Sequence, residues 1–210
     1  MPTEMTQRPP LLIFGAGGHA RVVADALQQA HTDWPLTASD RNDRLCLGEL
    51  LPGIPLAKVD ALGPWTGALH VAIGDNRARE KESLALGLHQ LVSVIHPRAS
   101  VSPHARLAEG CFVAAQAVIA TGAVLELSVI VNHAAVVDHD CTVGAFSHIA
   151  PGAVLGGGVR IGSRVLIGSG AVVQPGRSIC DGAVIGSGAV VCHDIQQAGT
   201  YVGIPARRVS

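Results

Sequence analysis

Two short stretches of this chain concentrate the side chains able to move protons. Asn132-His133-Ala134-Ala135-Val136-Val137-Asp138-His139-Asp140-Cys141 holds two imidazoles and two carboxylates, and Phe146-Ser147-His148 adds a third imidazole. Most of their neighbours are aliphatic or small, so charged and titratable groups here need a reason. His139 is flanked by Asp138 and Asp140 and reads as a general base. Eighteen residues on lies Gly157, the middle of Gly156-Gly157-Gly158. If the chain coils with that period, a backbone N–H of the triplet lies beside His139. A base would then be paired with an oxyanion donor. The competing role for His139 is a turn histidine bonded to backbone, and His133 suits a surface or interface role equally well. None of the five cysteines (Cys46, Cys111, Cys141, Cys180, Cys192) is flanked by a suitable base, and none forms a CxxC pair. They read as buried free thiols of a reducing cytoplasm.

A second constellation lies near the N-terminus. Pro10-Leu11-Leu12-Ile13-Phe14 reads as a buried strand, and Arg21–Leu27 as a helix with an apolar face at Val22, Val23, Ala26 and Leu27. Gly15-Ala16-Gly17-Gly18-His19-Ala20 joins them. Strand, Gly-rich turn and helix make a phosphate cradle: glycine lets backbone approach an anion, and the helix N-terminus offers free N–H groups. Asp40 follows the strand Leu36–Ser39, where an acid would meet a ribose or base. A tight turn that only packs a helix on a strand is the alternative. Strand Leu69–Ile73 ends in Gly74-Asp75-Asn76-Arg77, a helix is expected over Arg79–Leu88, and a further strand over Val92–Ile95. Residues 10 to about 96 thus form a small α/β unit, too short for a two-lobed dinucleotide fold, behind a loose tail at residues 1–9.

The His139 region is positioned by a repeat. Counting in sixes from Val101 to Val191, every position is Val, Ile or Leu: Val101, Leu107, Val113 and Ile119 begin the series, and Ile179, Ile185 and Val191 end it. A small or apolar residue (Ala99, Ala105, Cys111, Ala117) sits two places earlier, and Gly often follows the aliphatic position (Gly144, Gly156, Gly162, Gly168, Gly186). A period of six excludes an amphipathic helix. It fits very short strands with Gly or polar corners, stacked as a parallel β-helix. Beyond the register, His193–Gly199 and Tyr201-Val202-Gly203-Ile204-Pro205-Ala206-Arg207-Arg208 supply a cap for the open end.

Composition narrows the function. The net charge is −1 with no basic block, which leaves nucleic-acid binding without electrostatic support. No apolar run approaches the ~18 residues of a membrane span, and the N-terminus lacks a signal-peptide pattern. From Pro151 to Ser210 five arginines (160, 164, 177, 207, 208) face two aspartates (181, 194), an excess that suits a polyanion such as coenzyme A.

Taken together, G-A-G-G-H-A, A-I-G-D-N, I-H-P-R-A-S-V-S, N-H-A-A-V-V-D-H-D-C and F-S-H-I-A-P-G-A resemble the NeuD/PglD-type sugar acetyltransferases of the hexapeptide-repeat superfamily. The resemblance spans Leu11 to Arg208. It implies a Rossmann-like nucleotide-sugar-binding α/β domain at residues 1–96. It further implies a left-handed parallel β-helix at 97–210, with three hexads per coil and a C-terminal cap. It implies direct acetyl transfer from acetyl-CoA to the amino group of a UDP-, GDP- or dTDP-linked amino sugar in a polysaccharide or glycan pathway. His139 is then the base and Asp140 its polarising acid. His148, Gly157, Gly168 and Arg207 bind acetyl-CoA; Gly15, Gly17, Gly18, His19, Asp40, Gly74 and Asn76 bind the nucleotide sugar. No metal is implied, and the active sites of a cytoplasmic homotrimer lie between subunits. One rival keeps the enzyme class but acetylates a hydroxyl, as on sialic acid. Another is a gamma-carbonic-anhydrase-like hydratase, with His133, His139 and His148 as zinc ligands. A third is a non-catalytic nucleotide-sugar sensor.

Overall fold

The computed structural model describes residues 8–31 and 33–209. Of the expected loose tail, residues 1–7 lie outside the described residues. Arg8 and Pro9 are engaged, for Arg8 Nη1 pairs with His31 Nδ1 at 2.8 Å and Trp34 Nε1 donates to Pro9 O at 2.7 Å.

The N-terminal unit runs β1 (Leu11–Phe14), α1 (Gly18–Ala30), β2 (Leu36–Ser39), β3 (Glu49–Leu51), β4 (Ile54–Pro55), α2 (Val59–Leu62), β5 (Ala68–Val71), α3 (Asn76–Leu86) and β6 (Val94–Ile95). β1 is central in a parallel sheet of order β2–β1–β5 and is buried throughout, as a central strand of a covered parallel sheet must be. α1 starts three residues earlier than expected. Gly17 takes the extended cap position, which puts Gly18, His19 and Ala20 into the first turn. α3 also starts early, because the Asp75 side chain accepts from Ala78 N–H at 2.8 Å and nucleates the helix at Asn76. The expected strand Leu69–Ile73 runs instead from Ala68 to Val71. β6 pairs in parallel with Phe112–Val113 of the repeat region, while Leu91 bridges to Leu69. The chain passes from one sheet to the other within residues 91–95.

From Ser100 onward the chain is a parallel β-solenoid of about six turns, of left-handed β-helix type. Two-residue strands run from Ser100–Val101 to Val190–Val191, and each ends on a register aliphatic. Partners lie eighteen residues apart, as in Ile119↔Val137↔Leu155, so three hexads close one coil and the strands form three sheets. The register positions from Val113 to Val191 and the small residues two places earlier make one buried core. The interior is thus built by stacking, with each coil covering its neighbour.

The corners depart from the expected pattern. The left-handed conformation falls three residues after the aliphatic position, at Gly122, Asp140, Gly158, Gly176 and their equivalents, not immediately after it. The glycines that directly follow the aliphatic serve a different purpose. A Cβ at Gly144 would stand 2.5 Å from Gly162 C, and one at Gly168 would stand 2.6 Å from Ile185 O. Their lack of a side chain lets consecutive coils stack.

The two units share a core. Phe112, Ala114 and Ile130 of the first coils pack with Leu11, Ile13, Val23 and Leu27 of the α/β unit. Below that junction one sheet turns a ladder of Val118, Val136, Val154, Val172 and Val190 outward, each partly exposed. At the C-terminal end Thr200–Val202 continues another sheet in parallel with Val184–Ile185, and Arg207–Arg208 folds back antiparallel. This is the expected cap. All five cysteines are free thiols. Cys111 and Cys141 are buried and donate to the carbonyls of Glu126 and Gly156, each at 3.2 Å.

Candidate active site

His139 stands at a corner, two residues past the register position Val137. Asp140 holds the left-handed corner position with φ +57°, a conformation that an aspartate tolerates better than most residues. From there its Oδ2 lies 2.9 Å from His139 Nδ1. Asp138 Oδ1 accepts the His139 N–H at 2.7 Å. The hydrogen bond to Asp140, and then the Asp138 charge, raise the His139 pKa. Nδ1 therefore carries the proton toward Asp140, and Nε2 is left as the free base nitrogen.

Gly157 lies one coil on, against the same ring. A Cβ there would overlap Nε2 and come within 2.6 Å of Cε1, so only glycine fits beside the imidazole as placed. The neighbouring Gly158 N–H donates to His139 O at 2.8 Å and locks the two coils together. The N–H two residues past each aliphatic is not used by the coil ladder. Side-chain oxygens cap it at His133, His139, Ala145 and Ser163. Among the described residues no backbone oxygen accepts from the Gly157 N–H. A base nitrogen thus sits against a glycine whose N–H is uncommitted, the kind of pairing that acyl transfer uses.

His148 lies on a different sheet, beneath the α/β unit. Its Nε2 is 3.1 Å from Asn132 Nδ2, and its ring packs 6.2 Å from that of His19. Burial, and then the Arg79 charge, push its pKa down to about 4, against a hydrogen bond to the Gly74 carbonyl that acts to raise it. His19 packs edge-on to Phe112 at 5.3 Å. Burial first, and then His148, lower its pKa to about 3. Both rings are neutral at pH 7. A cavity of about 380 Å³ opens beside them, lined by Gly74, Asp75, Asn76, His148, Arg164 and Leu166 among others.

The Gly-rich loop completes this end of the site. Gly15 has φ +129°, and a Cβ there would stand 2.7 Å from Ala72 O. Its freedom is consumed by the approach of β1 to the segment after β5. Gly17 and Gly18 have nothing within 4 Å of an added Cβ, and Gly17 has no side-chain cap. The α1 N-terminus is therefore open. Asp40 Oδ2 accepts from Ala16 N–H at 3.0 Å and Oδ1 from Asn42 N–H at 2.8 Å, so this carboxylate shapes the loop. Asn76 bridges the two units: its Nδ2 donates to Val165 O at 3.0 Å and its Oδ1 accepts from Arg79 at 3.0 Å.

The structure brings His139, Asp140 and Gly157 together at one corner. His148, His19, Gly74 and Asn76 meet at another place, with Gly17, Gly18 and Asp40 at the adjoining loop. Gly168 is buried between coils. Arg207 lies on the exposed C-terminal hairpin, lining a separate cavity of about 400 Å³ at the open end of the solenoid. Within one chain, among the described residues, no group of three or more His, Cys, Asp or Glu is arranged to hold a metal ion. Sequence reasoning missed two residues. Asn132 lies inside the conspicuous histidine cluster, and its partnership with His148 follows from the coil period. Arg79 carried no local signal.

Comparison with known proteins identifies both units. Residues 10–83 match the PglD N-terminal domain, and residues 158–193 match the bacterial transferase hexapeptide family. The acetyltransferase domain of PglB from Neisseria gonorrhoeae is 37% identical, with TM-score 0.88 over 96% of this chain and 100% of that one. That domain has also been solved with acetyl coenzyme A. PerB from Caulobacter crescentus, solved with CoA and GDP-perosamine, is 36% identical, with TM-score 0.87 over 96% of this chain and 97% of that one. WeeI from Acinetobacter baumannii, 21% identical with TM-score 0.63 over 95% and 99%, shares the fold. A search of curated proteins gives no match.

Proposed function

The chain belongs to the PglD-type sugar acetyltransferases of the hexapeptide-repeat superfamily, and on that premise we propose that His139 is the base of its reaction. The chain is an acetyl-CoA-dependent N-acetyltransferase whose acceptor is the amino group of a nucleotide-linked amino sugar. The observation that carries the role of His139 is its corner, with Asp140 on Nδ1 and the Gly157 backbone against Nε2.

The neutral sugar amine attacks the thioester carbonyl. His139 Nε2 takes the ammonium proton as the C–N bond forms, and Asp140 stabilises the imidazolium. The Gly157 N–H faces the oxygen on which negative charge develops. When the tetrahedral centre collapses, the C–S bond breaks, coenzyme A leaves as the thiolate, and the His139 imidazolium returns the proton to it as the free thiol. Holding both substrates together supplies much of the rate.

The open α1 N-terminus, with Gly17 and Gly18, receives the diphosphate. Gly15 and Asp40 shape that loop, while His19, Gly74 and Asn76 form the wall between it and the solenoid. His148 meets the acetyl end of the coenzyme and Arg207 its phosphates, while Gly168, buried between coils, serves by letting them stack rather than by contact. His139 and His148 share no hydrogen-bond partner among the described residues, which fits a site completed by a second subunit. This supports a homotrimer with active sites between subunits, and the outward valine ladder offers the apolar face it needs. No helix among the described residues is long and apolar enough to cross a membrane. With five free thiols, the protein is assigned to the cytoplasm.

Thiol release from acetyl-CoA, measured against a panel of nucleotide-linked amino sugars, tests the reading. Turnover on one of them supports it. Release only with free sialic acid moves it to O-acetylation, and silence throughout overturns it.

A further inference from the structure

We propose that Arg79 is a positioning residue for acetyl transfer, one that sets the Gly74–Asn76 loop of the α/β unit in register with His148 of the solenoid. Arg79 is 1% exposed, and no carboxylate touches its guanidinium among the described residues. An unpaired buried charge is costly, so its retention calls for a task. All of its donors go to oxygens of three separate segments. Nη1 reaches Ile73 O at 2.9 Å and Gly74 O at 3.2 Å. Nε reaches Ser128 O at 2.9 Å. Nη2 reaches Asn76 Oδ1 at 3.0 Å, Phe146 O at 2.7 Å and Ser147 O at 3.3 Å.

The geometry is specific. Ile73 and Gly74 form the loop against which His19 and His148 pack. Phe146 and Ser147 immediately precede His148, and Ser128 belongs to the coil below. One planar fork therefore spans the loop of one unit and the strand entry of the other, which a lysine ammonium cannot do. Burial keeps the His148 and His19 rings neutral, and the guanidinium charge acts in the same direction. Asn76, held by Nη2, passes the connection on to Val165 in the next coil.

This role rests on the acetyltransferase reading, under which the loop carries the acceptor and His148 meets the donor. Losing the clamp then misaligns two substrates that each still bind. A displacement of about 1 Å costs roughly 10²-fold in rate.

The test is Arg79→Lys in the full chain. Steady-state kinetics would be run with acetyl-CoA and the amino sugar that wild type accepts, well below the variant's melting temperature. The expected result is kcat lower by about 10²-fold, with both KM values within about threefold of wild type. If Arg79→Lys does not fold, Asn76→Ala alone decides: kcat at saturating amino sugar should fall at least about tenfold, beyond any rise in the amino-sugar KM, with the acetyl-CoA KM retained; a wild-type kcat there overturns the role. Wild-type kcat in the folded variant, or a loss that merely tracks the unfolded fraction, overturns the role of Arg79. A silent wild type would overturn the functional reading instead.

Discussion

Replacing Gly157 by alanine isolates the corner at which base and oxyanion donor meet. The position has no left-handed φ, so alanine imposes no backbone strain. Its Cβ would lie 2.6 Å from His139 Cε1, where ordinary contact begins at about 3.4 Å. Nε2 would be nearer still, so the ring must retreat by about 1 Å or swing away from Asp140. The His139 side chain is 57% exposed, so it can move into solvent at little cost to stability. Catalysis should suffer, because a misplacement of about 1 Å costs roughly 10²-fold. The control is Gly158→Ala. Gly158 has φ +68° and nothing within 4 Å of an added Cβ, so alanine strains the backbone by about 1–2 kcal/mol without touching His139. That corresponds to a Tm loss of roughly 2–8 °C. Thiol release and thermal melting on both variants give a crossed result: Gly157→Ala inactive and stable, Gly158→Ala active and less stable. A Gly157→Ala enzyme with kcat within threefold of wild type would refute the proposed corner geometry.

Three further outcomes follow from the same structure. Asp140→Asn removes the group that does most to raise the His139 pKa, so the acidic limb of the kcat/KM profile should move to lower pH while the maximum falls. His19 and His148 take up protons in the unfolded chain near pH 6.5 but in the fold only near pH 3 and 4. Between pH 6.5 and 4 the unfolded state holds more protons, so stability falls as pH falls. The slope is about 1.4 kcal/mol per pH unit for each buried imidazole, and urea melts of wild type and His148→Gln should differ by one such contribution. Light scattering should give the mass of the proposed trimer for wild type and of a monomer for Val154→Asp on the outward ladder, with the solenoid still folded; an unchanged mass would place the subunit interface elsewhere.

The hexad register makes the solenoid legible in the sequence, because sixfold periodicity admits few other folds and each aliphatic position is a core position. The same period places Gly157 beside His139. The Gly-rich loop is legible too, since strand, glycine turn and helix follow one another directly. The corners are harder to read because glycine serves two purposes here. At Gly158 it supplies a left-handed φ, and at Gly168 it makes room for the next coil; composition does not separate these. Arg79 is illegible for another reason. Its acceptors at Ser128, Phe146 and Ser147 are backbone carbonyls far along the chain, and a carbonyl leaves no trace in residue type. Asp40 is located by its spacing, but its hydrogen bonds to Ala16 and Asn42 depend on loop geometry that spacing does not specify. β6 reads as part of the first sheet because its apolar pattern fits either partner.

The central claim is that His139 takes the proton from a nucleotide-linked amino sugar as acetyl-CoA gives up its acetyl group. The direct measurement is thiol release from acetyl-CoA with UDP-, GDP- and dTDP-linked amino sugars, wild type beside His139→Ala. The account predicts turnover on one of these acceptors and a loss of at least about 10²-fold in the variant, as removal of a general base requires. A folded His139→Ala enzyme that transfers acetyl at the wild-type rate would contradict it.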